Sequence, residues 1–332
     1  MTGATPAVHP PPTPLAESLA GKISARLLLL PDLHVPSSPD ILERILASRA
    51  LGTVDQVVFL GDTVAYYGTD HEYRALGDFI ARLGKPYSAV IGNHEFTFEV
   101  HPPEGGQYGR IWKTGSPESR RNQLDQFTRF FGIHDSYWME EAVGVRFLHF
   151  MLTDWDPSVM ERRRVKHEHD ALKELPPGGG AFIRGALEAS RSDGRPIIAF
   201  CHLPLAASLP TDFVYYEPGR DPCLYLEDET LDGIGEAGVP VLWCSGHVHL
   251  SPHHPDAGLR LVAPNLLQAH CPSSRWNVRR ERADIHAKRY EESYALILGV
   301  DRGRPAFTLW DWLADVPAPL PAAFEIGTHW AR

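Results

Sequence analysis

Five short clusters in this 332-residue chain carry side chains that bind transition metals: Asp32-Leu33-His34, Gly61-Asp62, Gly92-Asn93-His94-Glu95, His202 and Gly246-His247-Val248-His249. Carboxylate and imidazole donors suit Mn, Fe, Zn or Ni, whereas an all-oxygen set suits Mg or Ca. In Asp32-x-His34 an extended backbone sends alternate side chains to one side, so both can reach one ion; His247-x-His249 repeats that spacing. A glycine stands directly before Asp62, Asn93 and His247, where the lack of a Cβ lets the chain turn tightly and approach a site closely. Singly, most of these pieces are weak: Gly-Asp after a strand is usually a plain turn, and a lone histidine usually packs. Gly-His-x-His is rarer. With 28 Gly and 17 His in the chain, composition supplies roughly 0.07 copies of it by chance. The ordered set of five points to a metal centre.

The elements that must position these residues are short apolar runs. Arg26–Leu30 ends at Pro31-Asp32, Gln56–Leu60 at Gly61-Asp62, and Tyr87–Ile91 at Gly92-Asn93. Between them lie helical spacings: Ile41, Leu42, Ile45 and Leu46 after Ser38-Pro39, and Tyr73, Leu76, Ile80 and Leu83 after a Thr69/Glu72 capping box. The first 95 residues thus read β-α-β-α-β, a parallel sheet with crossover helices. Further on, 120–131 and 181–191 read as helices, and Val145–Leu152, Pro196–Phe200 and Val239–Trp243 as strands. Strand candidates follow at 258–263, 293–300 and 304–312. Function in parallel sheets gathers at the carboxyl ends of strands, so five such ends in one sheet would converge on a single crevice.

Composition narrows the class. Apolar residues make up 43% and charged residues 22%, ordinary values for a globular protein. The net charge of −10 argues against nucleic acid and membrane surfaces as partners. No apolar run approaches a membrane span, and the start has no signal-peptide pattern. Four sparse cysteines make no disulfide framework and point to a reducing, cytoplasmic setting. The domain reading is a Pro-rich tail at 1–22, a single domain at 23–315 and a second tail at 316–332.

The five clusters together resemble the motifs of the calcineurin-like metallophosphoesterases, from about residue 26 to residue 250. The resemblance implies an α/β fold in which two mixed β-sheets pack face to face with helices outside. It implies one metal on Asp32, His34, Asp62 and His249, a second on Asp62, Asn93, His202 and His247, and Asp62 bridging. The cofactors are then two divalent or mixed-valence ions. Two cations about 3.5–4 Å apart clamp a phosphate and acidify a bridging water, whose hydroxide attacks phosphorus. His94, binding no metal, would protonate the leaving oxygen. The catalytic set is His94, Asp62 and Asn93. A phosphomonoester or phosphodiester is the expected substrate, a small nucleotide or cyclic nucleotide first; a nuclease, a protein phosphatase or a silent scaffold are the alternatives. Two departures from the family pattern stand out: Glu95 replaces the usual Asp and is expected to orient His94, and Ala65 stands where many relatives have a second acid.

Other motifs carry blander readings. Gly233-Ile234-Gly235-Glu236-Ala237-Gly238 matches a dinucleotide fingerprint, but a helix precedes it and a strand follows, the reverse of what that motif needs. Cys201 beside His202 reads as a packed thiol. His167-Glu168-His169-Asp170 and the basic run from Arg162 read as solvated charge. Arg275–Arg282 mixes basic and aromatic residues, which could suit nucleic acid but for the net charge, and Tyr66 and Tyr67 are placed to stack on a substrate ring, with core packing the equal alternative for one of them.

Overall fold

In a computed structural model, the structure describes residues 9–37, 39–65, 68–96, 116–151, 174–209, 223–275, 277–279, 288–290, 292–326 and 330. Tyr66, Tyr67, the charged stretch around 162–170 and most of 276–287 lie outside the described residues. The apolar runs form strands: β1 (Ser24–Leu30), β2 (Gln56–Leu60) and β3 (Tyr87–Val90) lie parallel and adjacent. Three antiparallel strands extend this sheet beyond β1: β12 (Tyr294–Asp301), β13 (Arg304–Asp311) and β14 (Val316–Ala318). The second sheet has the order β4 (Tyr137–Ala142), β5 (Val145–Phe150), β6 (Ile197–Phe200), β7 (Val241–Ser245), β9 (Leu266–His270) and β8 (Leu259–Ala263). Its four central strands are parallel and its two outer pairs antiparallel. A separate hairpin joins β10 (Asn277–Arg279) to β11 (Lys288–Tyr290).

Both sheets are mixed and helices flank them, the expected sandwich. Leu27–Leu30 and Val57–Leu60 are fully buried, and each such side chain contributes about 1.5–3 kcal/mol of burial energy. The helix Asp70–Leu83 starts with the expected capping box at Thr69/Glu72 and stops at Gly84 with φ 64°. Ser116 caps the helix Pro117–Phe131. The glycine fingerprint lies inside the helix Asp228–Ala237, with Gly238 as its left-handed stop; β7 follows, as the sequence order required. Among the described residues no helix is long and apolar enough to cross a membrane.

Three expectations differ. The five metal-ligand strand ends are not in one sheet: β1, β2 and β3 supply three, and β6 and β7 supply two from the facing sheet. The N-terminal stretch read as a tail packs from His9 onward. Leu15 and Leu19, four apart on one helical face, are buried, Thr13 N donates to Tyr87 O at 2.7 Å, and Glu140 Oε2 accepts from Ala16 N at 3.0 Å. The stretch from 316 is also part of the fold, because β14 closes the edge of the first sheet, where a proline such as Pro317 is tolerated. Beyond it Trp330 Nε1 donates to Gly303 O at 3.0 Å.

At the end of β9, His270 is buried, with Nε2 3.0 Å from Ser208 Oγ. The serine hydroxyl donates to Leu205 O at 2.6 Å, so it accepts the Nε2 proton of a neutral ring. Burial, helped by Arg260 and His254, pushes His270 down to about 3. The unfolded chain therefore takes up a proton near pH 6.5 and the folded chain only near 3, so stability falls as pH drops between those values. Against His270→Gln, the wild type is expected to lose up to about 1.4 kcal/mol per pH unit below 6.5. Urea midpoints of the two proteins measured from pH 7 to 4.5 check this; parallel curves would refute it.

Candidate metal centre

Five of the parallel strands hand the chain to loops that carry the candidate ligands. β1 leads to Asp32 and His34, β2 to Asp62, β3 to Asn93 and His94, β6 to His202, and β7 to His247 and His249. Seven of these eight are buried; His94 is half-buried. The loops are not the extended segments expected for Asp32-x-His34 and His247-x-His249. Asp32 (φ 54°), His34 (50°), Asp62 (52°), His247 (69°) and His249 (49°) are left-handed, five of the nine described non-glycine residues with positive φ. Such backbone is costly and tends to persist where surrounding structure fixes it at a functional site. Asp32 and His34 still reach one place, by a repeated kink, whereas His247 and His249 go to different donor groups. Paired loops hold that kink: Asp32 N and His34 N donate to Gly61 O and Asp62 O at 3.1 and 3.0 Å. Across the sheets, His247 N donates to Asp32 Oδ2 at 3.0 Å. Gly246 is needed there, since a Cβ would run into Pro31 and lie 2.6 Å from Asp32 Oδ2.

The donor atoms form three overlapping groups, each within 4.8 Å: Asp32, His34 and His249; Asp62, His202 and His247; and His34, Asp62 and His94. His34 and Asp62 each belong to two of them, and the group they share links the two ends of the centre. His202 Nδ1 donates to Leu60 O at 2.8 Å, which turns the Nε2 lone pair inward. That lone pair faces Asn93 Oδ1, His247 Nδ1 and Asp62 Oδ2, each at 3.2 Å. At the other end His249 Nε2 is 3.2 Å from both His34 Nε2 and Asp32 Oδ1. Acceptor atoms crowded at this spacing share either a proton or a cation. Two ligands at right angles on an ion, with bonds of about 2.0–2.2 Å, are themselves about 3 Å apart. The donor set therefore fits transition-metal ions.

The charges interlock. Burial, reinforced by His94, His249 and Arg275 and opposed by Asp62, holds the His34 imidazole well below its usual range. Burial alone would raise Asp62, but His202 and His94 outweigh it and hold its carboxyl well below the usual range. Burial likewise opposes a charge on His202, yet the neighbouring Asp62 pushes it up to about 9. That proton occupies the lone pair a metal would take.

One expected role moves to a different group. Glu95 does not orient His94: the imidazole Nδ1 donates to the backbone carbonyl of Ala65 at 2.7 Å. His94 Nε2 is left 3.7 Å from Asp62 Oδ2, with its ring edge-on to His34 at 4.5 Å. Sequence reasoning also missed Ser273, whose hydroxyl donates to Asp32 O at 3.3 Å and accepts from Arg275 N at 3.2 Å. A serine in a loop gives no sequence signal for that. Cys201 is packed, as expected, and burial pushes its thiol up to about 12.

A family model for the calcineurin-like phosphoesterases matches residues 25–251. The chain belongs to that family. The fold of this phosphoesterase is similar to that of purple acid phosphatase PPD1 from yellow lupin, Lupinus luteus, at a TM-score of 0.56 and 15% identity. The match covers 89% of this chain and 52% of the lupin protein, so the phosphoesterase spans about half that protein's length. It is also similar to a dimetal phosphatase from Danio rerio, at a TM-score of 0.52 and 14% identity over 85% of this chain and 98% of that one. At these identities the likeness is one of fold. Curated protein sequences give no significant match.

Proposed function

We propose that this phosphoesterase is a dinuclear metal-dependent hydrolase of small phosphomonoesters or phosphodiesters. The observation that carries the reading is the convergence of seven buried donors, at edge-to-edge spacings of 3.2 Å, on a centre shared by Asp62. Asp32, His34, Asp62 and His249 would hold one ion, and Asp62, Asn93, His202 and His247 the other. Bound there, two cations would neutralise phosphate oxygens and acidify a water. Asn93 offers an amide oxygen that adds no negative charge beside the substrate. His94, with Nδ1 fixed on Ala65 O, presents Nε2 to the centre and would give its proton to the leaving oxygen.

The net charge of −10 favours a small soluble ester, a nucleotide or cyclic nucleotide, over a polyanion. Four free, buried cysteines accord with a reducing, cytoplasmic home. Exhaustive chelation is expected to abolish hydrolysis of p-nitrophenyl phosphate and its bis-ester, and Mn, Fe, Zn or Ni to restore it. A panel of mono-, di- and cyclic phosphoesters run on the reconstituted protein then identifies the substrate class. Full turnover after chelation would overturn the reading.

A further inference from the structure

We propose that Glu95 is a positioning residue of the metal centre, its carboxylate locking together the two loops that present Asp62 and Asn93. The side chain is fully buried, and both oxygens are engaged. Oε2 accepts from Asp62 N at 3.0 Å and from Gly92 N at 2.7 Å. Oε1 accepts from Thr63 N at 2.6 Å, Thr63 Oγ1 at 2.8 Å and Val64 N at 3.2 Å. Four of these five donors are backbone N–H groups, three from the loop after β2 and one from the loop after β3.

That loop needs an external tie. Gly61 (φ 85°) and Asp62 (φ 52°) are both left-handed, a conformation that aspartate does not favour by itself. Successive N–H groups turned toward one point form a concavity for an anion, and Glu95 supplies that anion from within the chain. By drawing Asp62 N and Gly92 N onto one oxygen, it fixes the separation of the shared carboxylate from the adjacent Asn93. Gly92 permits the approach, since a Cβ there would collide with Asp62. Aspartate, one methylene shorter, cannot reach all five donors from the same backbone. Glutamine can, but its NH2 faces N–H groups on one side whichever way it is turned.

This inference rests on the dinuclear reading, and its test separates the two. Mn2+ titrated calorimetrically into the metal-free protein is expected to fill two sites in the wild type. In Glu95→Gln at least one site is expected to weaken about 10- to 100-fold, the usual effect of removing a group that orients metal ligands. The electron paramagnetic resonance signal of the Mn2+-loaded variant should shift from that of a coupled pair toward isolated ions, and Glu95→Asp should show the same changes. Two sites of wild-type affinity in Glu95→Gln, or a lower melting temperature with unchanged Mn2+ affinity, would overturn the role and leave the dinuclear reading standing. A wild type that binds no Mn2+ would overturn both. Should both Glu95 variants fail to fold, Thr63→Val removes the single hydroxyl bond. A several-fold loss of Mn2+ affinity in that variant supports the role, and an unchanged affinity overturns it.

Discussion

Asp62→Asn is expected to lower kcat/KM for p-nitrophenyl phosphate and its bis-ester by about 10³-fold or more, a loss of roughly 4 kcal/mol of transition-state stabilisation. The substitution preserves shape. The amide oxygen can still accept from His94 N, as Asp62 Oδ1 does at 2.9 Å, so the loop keeps its tie and the fold should persist. The variant loses charge. Only Asp32 and Asp62 bring formal negative charge to the proposed ligand set, and of the two only Asp62 belongs to two donor groups, one with His34 and His94 and one with His202 and His247. An amide cannot bridge two cations as a carboxylate can, and it removes the anion that balances four buried imidazoles. Metal content by elemental analysis should fall toward one ion or none. His247→Ala should act in the same direction through the end that holds His202 and Asn93. A variant Asp62→Asn retaining two ions and near-wild-type turnover would exclude the shared-carboxylate centre.

Much of this centre was legible in the chain because it obeys a simple rule: an apolar run too short for a helix stops at residues that bind metals. β2 was read at its observed bounds, and β1 and β3 nearly so, because Leu27–Leu30, Val57–Leu60 and Ala89–Val90 are buried with no polar residue interrupting them. β4 was missed for the opposite reason. Its residues Tyr137–Ala142 alternate between half-buried and exposed, and the two glutamates look like surface. β14 was hidden by Pro317, a residue that argues against strand everywhere except at an edge.

The local geometry was less accessible. Nothing in Asp-x-His or His-x-His distinguishes an extended segment from the doubled left-handed kink observed, because aspartate and histidine accept either conformation when tertiary contacts require it. The division of ligands between two sheets depends on how β6 and β7 face β1, a long-range matter that strand patterns do not encode. Glu95 shows the limit most clearly. Adjacency to His94 suggested that the two side chains interact. Instead they diverge: Glu95 turns inward to the backbone of Asp62, Thr63 and Val64, and His94 turns to the Ala65 carbonyl just beyond them. The four-residue stretch Asp62–Ala65 thus holds both, one through its N–H groups and the other through its last C=O.

His94→Ala is expected to retain two metal ions while losing about 10²–10⁴ in rate on alkyl phosphates, the range typical of a missing general acid. The loss should be much smaller on p-nitrophenyl esters, whose leaving oxygen departs without a proton. The geometry supports this split. With Nδ1 committed to Ala65 O at 2.7 Å, only Nε2 can exchange a proton with substrate, and a peptide oxygen keeps the ring in place without adding charge. His94 also falls within 4.8 Å of donor atoms of His34 and Asp62, which makes a ligand role the serious rival. The two roles give opposite results in one variant. A ligand histidine would cost metal affinity and reduce both substrate classes alike, whereas an acid histidine leaves affinity unchanged and steepens the dependence of rate on leaving-group pKa. Measuring Mn2+ affinity together with a leaving-group series in His94→Ala therefore decides which role the half-buried imidazole plays.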